Sequence, residues 1–228
     1  MNLYFLVEGV TEIILYRTWL KYLLPNFQQV KFHDQVTQNC YYIIGDYGFP
    51  GILDDGIHKA LDNIQSSQKY DYLILCVDAD EESVQERQDY IYQFLEKKKI
   101  DLTSIPLKIF VQNRCIETWL LGNRKLFDSR QPLEKPLIDY TNYYDVSRYD
   151  PELLGKYNQD YYAEFHEIYL KAIFNAKGLK YTKTRPRDAQ EKHYFEQLLK
   201  RIDQEPEHLQ TFRDFISFCE KLLVALTR

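Results

Sequence analysis

Three carboxylates stand where an α/β chain could use them for metal chemistry. Glu8 follows the apolar run Asn2–Val7, and Asp78 and Asp80 end and follow the apolar run 70–77. Hard divalent cations such as Mg²⁺ take oxygen ligands, commonly one or two carboxylates, with water and substrate phosphate completing the shell. Carboxylates gathered without a cation repel one another, which is the physical reason to read such a group as metal-binding. Asp78 and Asp80 are two residues apart, so on an extended strand end they point the same way. Glu12 lies one turn after Glu8, and Glu117 lies four residues after Asn113, each pair on a shared helical face.

The elements needed to position these groups are legible in the apolar pattern. Residues 2–8 read as a strand, 11–24 as a helix closed by Pro25, 39–44 as a strand, and 52–66 as a helix. Residues 70–78 form the clearest strand, with the near-continuous apolar core of a strand buried on both faces. A charged amphipathic helix over 82–99, a strand over 105–111 and a helix starting at 115–121 follow. Strands alternating with helices of this length indicate βαβ units. The expectation is an α/β fold: a four-stranded, mainly parallel sheet flanked by helices, complete by about residue 125. The stretch 126–160, with Pro132, Pro136, Pro151 and many tyrosines, reads as an irregular insertion or lid. Helical patterns return over 161–176, 188–202 and 209–226. The organisation expected is therefore a core over 1–125 and a Tyr-rich, helical C-terminal elaboration over 126–228 that packs on it.

In an open parallel sheet, ligands bind at the carboxyl ends of the strands. Those ends carry Glu8, Asp46, Asp78 with Asp80, and Asn113. Each also has a plainer reading. Glu8-Gly9 is a common turn, Asp78-x-Asp80 a common solvated loop, and Asp46 a turn residue. Glu81 and Glu82 suit the first turn of a helix, Asn113 could cap the next one, and Trp119 fits a core. The two acidic motifs together, in this order on βα units, favour the metal reading.

Bulk composition constrains the setting. With 45% hydrophobic and 28% charged residues the chain sits in the ordinary globular range. No apolar run approaches the roughly 20 residues of a bilayer span. The short apolar start lacks the basic flank and cleavage site of a signal peptide. Cys40, Cys76, Cys115 and Cys219 show no zinc spacing and fit a reducing compartment, so cytoplasmic residence is expected. The net charge of −5 gives no general affinity for nucleic acid. Residues 177–187 are the exception: Lys177, Lys180, Lys183, Arg185 and Arg187 with Tyr181 and no acid suit a nucleic-acid backbone with stacking, against the alternative of a solvated loop.

Two segments resemble the signature motifs of the Toprim domain, Phe5-Leu-Val-Glu-Gly-Val-Thr-Glu12 and Leu73-Ile-Leu-Cys-Val-Asp-Ala-Asp80. A third, Gln112-Asn-Arg-Cys-Ile-Glu-Thr-Trp-Leu-Leu121, is similar to the Asn-x-x-x-Glu-x-Trp stretch of RloB-like and OLD-like Toprim proteins of bacterial defence systems. The resemblance spans residues 1–125. It implies that Glu8 acts as metal ligand or general acid/base and that Asp78 and Asp80 hold Mg²⁺ or Mn²⁺, with Glu12 and Glu117 as accessory ligands. It also implies a downstream functional lysine, for which Lys177, Lys180 and Lys183 are candidates, with Lys183 carried forward as the catalytic choice. Too short for a topoisomerase, the chain also lacks the added parts of a primase. The expected function is a Mg²⁺-dependent nuclease acting on DNA or RNA. The resemblance further implies an anti-phage effector working with a partner ATPase, and it leaves room for a homo-oligomer; no membrane partner is expected. Two rivals are a catalytically idle Toprim module that binds a partner or senses nucleotides, and an Asp-x-Asp metal-dependent glycosyltransferase. The latter would want a nucleotide-binding first strand where Glu8-Gly9 stands.

Overall fold

The computed structural model describes residues 1–127 and 134–226. Pro132 of the expected insertion lies outside them. The fold is α/β, with a five-stranded, all-parallel sheet of order β2-β3-β1-β4-β5 flanked by helices, and a helical C-terminal part. The strands are β1 (Asn2–Val7), β2 (Gln28–Gln29), β3 (Cys40–Ile44), β4 (Tyr72–Asp78) and β5 (Leu107–Gln112). The helices are α1 (Val10–Leu23), α2 (Ile57–Ser67, entered through a π-helical turn Ile52–Gly56), α3 (Val84–Lys97), α4 (Ile116–Leu120), α5 (Leu137–Tyr143), α6 (Tyr162–Ala176), α7 (Lys192–Gln204) and α8 (Gln210–Leu226). The expectation of four strands is one short, because β2 is two residues long and carries no periodicity to detect. Among the described residues no helix is long and apolar enough to cross a membrane.

Packing divides the chain into two compact units: Met1–Val77 with Val84–Val111 and Asp214–Arg228, and Asp78–Ser83 with Gln112–Arg213. In the first unit β1 is buried along its whole length, as the central strand of a parallel sheet covered on both faces must be. It pairs with β3 on one side, Leu6 opposite Ile44, and with β4 on the other, Val7 opposite Cys76. Helix α1 forms because Leu15, Tyr16, Trp19, Leu20 and Leu23 recur at helical spacing and are all buried. Phe215 of α8 packs edge-on to Phe110 of β5 at 5.4 Å, Phe218 lies tilted to Phe110 at 5.2 Å, and Phe215 lies 5.0 Å from Tyr16.

Asn2 ties together the end of the sheet where its strands begin. Its backbone N–H donates to Asp71 at 2.6 Å, its Nδ2 donates to the carbonyls of Thr37 and Lys69, and its Oδ1 accepts from the Cys40 N–H at 2.9 Å. At the opposite end of the sheet, β1 and β3 converge on Gly45. A Cβ there would lie 2.5 Å from the Val7 carbonyl oxygen and 2.7 Å from its Cγ2.

The second unit is helical, around Trp119, Phe165, Tyr169, Phe174, Tyr194, Phe195 and Phe212, all buried. Here the expected irregular insertion contains structure. Helix α5 and a 3₁₀ turn at Pro151–Leu153 form within it, and Tyr140 packs edge-on against Tyr157, Phe165 and Tyr169 at 5.2–5.6 Å. Seven residues are too few for helical periodicity to register, so the sequence shows only prolines and tyrosines there.

Gly45→Ala should lower stability by about 2 kcal/mol, the usual range for forcing a methyl into a packed site, read as a shift of the urea midpoint. An unchanged midpoint would show that the ends of β1 and β3 separate freely.

Candidate functional site

In the first unit the Glu-Gly turn follows β1 directly. The Glu8 carbonyl accepts from the N–H groups of Tyr47 and Gly48 at 3.2 and 3.1 Å, which fixes the residue's backbone against the loop after β3. Gly9 starts α1 without a side-chain cap. A Cβ on it would lie 2.9 Å from Glu12 Oε2, so the glycine leaves room for that carboxylate. Glu12 is buried in the first turn of α1, where the helix dipole favours negative charge. Asp46 is exposed, with φ at +75°. That left-handed backbone is one that Asp tolerates better than most residues.

In the second unit, Asp78 ends β4 and Asp80 lies two residues on, in a turn closed by the Glu82 N–H donating to the Ala79 carbonyl at 3.0 Å. Asp80 has φ at +52°, a left-handed conformation that Asp tolerates better than most residues. Glu117 sits in α4 and is 1% exposed. Its Oε1 accepts from the Tyr181 hydroxyl at 2.8 Å, while its buried Oε2 has no hydrogen-bond partner among the described residues. Burying a carboxylate oxygen without a partner is costly, so this atom is suited to a cation.

Of the three lysines, Lys183 is tied electrostatically to Glu117 in the same unit. The Glu117 charge holds the Lys183 ammonium well above the usual lysine range; burial opposes this, and the charges of Glu167, Cys115 and Asp78 add to it. Lys183 also pairs with Glu167 at 3.7 Å and keeps about half its side chain exposed. Conversely, burial raises the Cys115 thiol far above its usual value, with the Glu117 and Asp78 charges adding. Asp78, Glu117, Cys115 and Lys183 therefore share one local field. Lys180, Arg185 and Arg187 are exposed and Lys177 is partly so. Tyr181, expected to stack on bases, is instead 4% exposed and packs 5.7 Å from Phe174. Its ring anchors the basic loop, and a tight turn between Thr182 and Arg185 puts Lys183 and Thr184 at the tip.

Two further networks hold these groups. Helix α4 is capped by Cys115 and Thr118, not by Asn113. The Leu154 carbonyl can only accept, so His166 donates to it through Nε2 at 3.2 Å, and its Nδ1 accepts from Thr118 Oγ1 at 2.7 Å. Asn113 donates Nδ2 to the Glu152 carbonyl at 3.1 Å and its N–H to Thr211 Oγ1 at 3.3 Å. Thr211 Oγ1 also accepts from Trp119 Nε1 at 2.8 Å and donates to the Glu152 carboxylate. Asn113 is thus a structural stitch. Sequence reasoning passed over His166, Glu152 and Thr211, which belong to no short motif.

Among the described residues no group of three or more His, Cys, Asp or Glu side chains is arranged as a ready metal cage. The chain matches no protein-family model, no curated protein and no solved structure.

Two buried groups of this unit, His166 and Glu152, have linkages of opposite sign. Burial pushes His166 from its usual 6.5 down to about 4, so its contribution to stability is full above pH 6.5 and lost as pH falls toward 4. Burial pushes Glu152 from 4.5 up to about 7, against the lowering effect of its Thr211 hydrogen bonds. Its contribution is full below pH 4.5 and lost as pH rises through 7. Each changes stability by at most about 1.4 kcal/mol per pH unit. Between pH 4.5 and 6.5, urea denaturation of Glu152→Gln should show stability rising with pH more steeply than wild type, and His166→Gln less steeply. Equal slopes in all three would refute both assignments.

Proposed function

We propose that this chain is a metal-dependent phosphodiesterase acting on nucleic acid, with Asp78, Asp80 and Glu117 as acidic ligands and Lys183 as its working cation. By the Toprim resemblance alone, Glu8 and Glu12, at the turn after β1, are also candidate acidic residues. The single observation that carries the reading is the buried, unpartnered Oε2 of Glu117 in the same field as Asp78 and Lys183. Mg²⁺ is commonly held by one or two carboxylates, with water and substrate phosphates supplying the rest, so one or two of Asp78, Asp80 and Glu117 would suffice without a preformed cage. When bound, such an ion would supply Lewis-acid polarisation of a phosphate and a more acidic water.

The chain's own groups account for the remaining needs. Lys183, kept fully charged by Glu117, is suited to neutralise charge developing on a phosphoryl oxygen. Tyr181 holds Glu117 and the basic loop in one piece. Exposed Lys180, Arg185 and Arg187 offer contacts to a phosphate backbone. Four buried, free cysteines fit the reducing cytoplasm. A role as a defence effector triggered by a partner ATPase, and any self-association, rest on the resemblance alone. One observation favours a second reading, a Toprim module that binds or senses without catalysis: the lack of a ready metal cage among the described residues.

Incubation with single- and double-stranded DNA and RNA decides between the two. Purified protein with Mg²⁺ or Mn²⁺ should degrade at least one of them, and Asp78→Ala, folded by circular dichroism, should lose that activity. No cleavage by wild type favours the binding module, and equal cleavage by the variant removes Asp78 from the chemistry. Reversing the charges of Lys180, Arg185 and Arg187 to Glu should weaken nucleic-acid binding at low salt about ten-fold or more and flatten its salt dependence. Unchanged binding would return the segment to an ordinary loop.

A further inference from the structure

The turn that carries Asp80 is assembled around one side chain from outside it. Arg114 lies two residues beyond β5, at φ +72°. Its carbonyl accepts the Asp80 N–H at 2.9 Å, just after the Gln112 carbonyl accepts the Ala79 N–H at 3.0 Å. Its guanidinium then turns back: Nη1 donates to the carbonyls of Asp80 at 3.3 Å and Glu82 at 2.7 Å. Both the amide and the carbonyl of Asp80 are thus bonded to a single residue.

The guanidinium is itself held in place. It stacks on the Tyr162 ring, 3.8 Å from the centroid. The Tyr162 N–H donates to Glu81 Oε1 at 2.8 Å, and Lys156 forms an ion pair with the other Glu81 oxygen. Burial opposes ionisation of Glu81, but Lys156 and the Tyr162 N–H outweigh it and hold the carboxyl below the usual range. Arg114, Tyr162, Glu81 and Lys156 therefore close a ring of interactions around the turn. The guanidinium donates to two carbonyls through Nη1 while its carbon sits over an aromatic face, a combination for which its planar, multi-donor shape is well suited. A lysine would keep the charge and lose the fork.

We infer that Arg114 is the positioning residue of the acidic turn, holding Asp80 in its left-handed conformation and thereby fixing where its carboxylate stands for a divalent cation. The inference rests on Asp80 being a metal ligand, as in the proposed function. Residues that orient a ligand from behind typically change metal affinity 10- to 100-fold when lost, whereas a purely structural residue would change stability and leave affinity alone.

The test is Mn²⁺ binding to the full chain by isothermal titration calorimetry, with the metal-free thermal midpoint recorded for each protein. Arg114→Gln should weaken Mn²⁺ about ten-fold, and Arg114→Lys should recover part of that loss. Tyr162→Leu removes the stacking platform while leaving the Arg114 side chain in place. It should weaken Mn²⁺ in the same direction by a smaller factor, and it decides the matter if Arg114→Gln does not fold. Wild-type affinity in both Arg114→Gln and Tyr162→Leu, or in Tyr162→Leu alone where Arg114→Gln fails to fold, would overturn the inference and leave the proposed metal site standing. A wild-type chain that does not take up Mn²⁺ at millimolar concentration would overturn the metal site and the inference with it.

Discussion

A strand buried on both faces admits charge only where it stops. Desolvating an ionised carboxylate inside an apolar sheet is far more costly than any packing it could gain, so β1 and β4 carry their acids at their ends: Glu8 just past Val7, Asp78 as the last residue of β4. The opposite ends of these strands are already engaged. Asn2 uses its backbone N–H and both side-chain polar atoms to join the starts of β3 and β4, and Asp71 is spent on that joint. Glu8 and Asp78 stand instead at the carboxyl ends, the end at which parallel sheets characteristically take ligands.

In the helical unit the organising theme is compensation of negative charge by fixed partners. Glu117 lies on a short helix that could not hold its orientation alone. The Thr118–His166–Leu154 chain of hydrogen bonds fixes its first turn, and Tyr181 fixes one carboxylate oxygen. Lys183 faces this arrangement from a loop whose own aromatic residue is buried. Charge and packing are thereby coupled: moving the loop would expose Tyr181 and leave Glu117 without its hydroxyl donor.

Much of this was legible before any coordinates. The positions of the four longer strands, the Glu-Gly and Asp-x-Asp turns and the long helices follow from periodicity and turn chemistry, because central strands and long helices repeat their pattern several times. What the sequence hid is local or directional. Gln28–Gln29 is too short to alternate, and Leu137–Tyr143 is too short to show a helical face. A tyrosine between lysines looks like a surface ring, since composition does not reveal that Tyr181 turns inward to a carboxylate. Sequence alone offers no physical ground for preferring Lys183 over Lys177 and Lys180; the charges of Glu117 and Glu167 beside it supply one. Asn113 reads as a helix cap until Cys115 is seen to take that place.

The chain has two tryptophans, and they fall one to each unit: Trp19 inside α1 beside Tyr16, Trp119 inside α4 bonded to Thr211. Both are fully buried, so each indole reports the integrity of its own surroundings and neither is a surface probe. Replacing one at a time by phenylalanine would give the molecule two separate optical channels, through which the loosening of the sheet and that of the helical unit can be watched independently in the same solution.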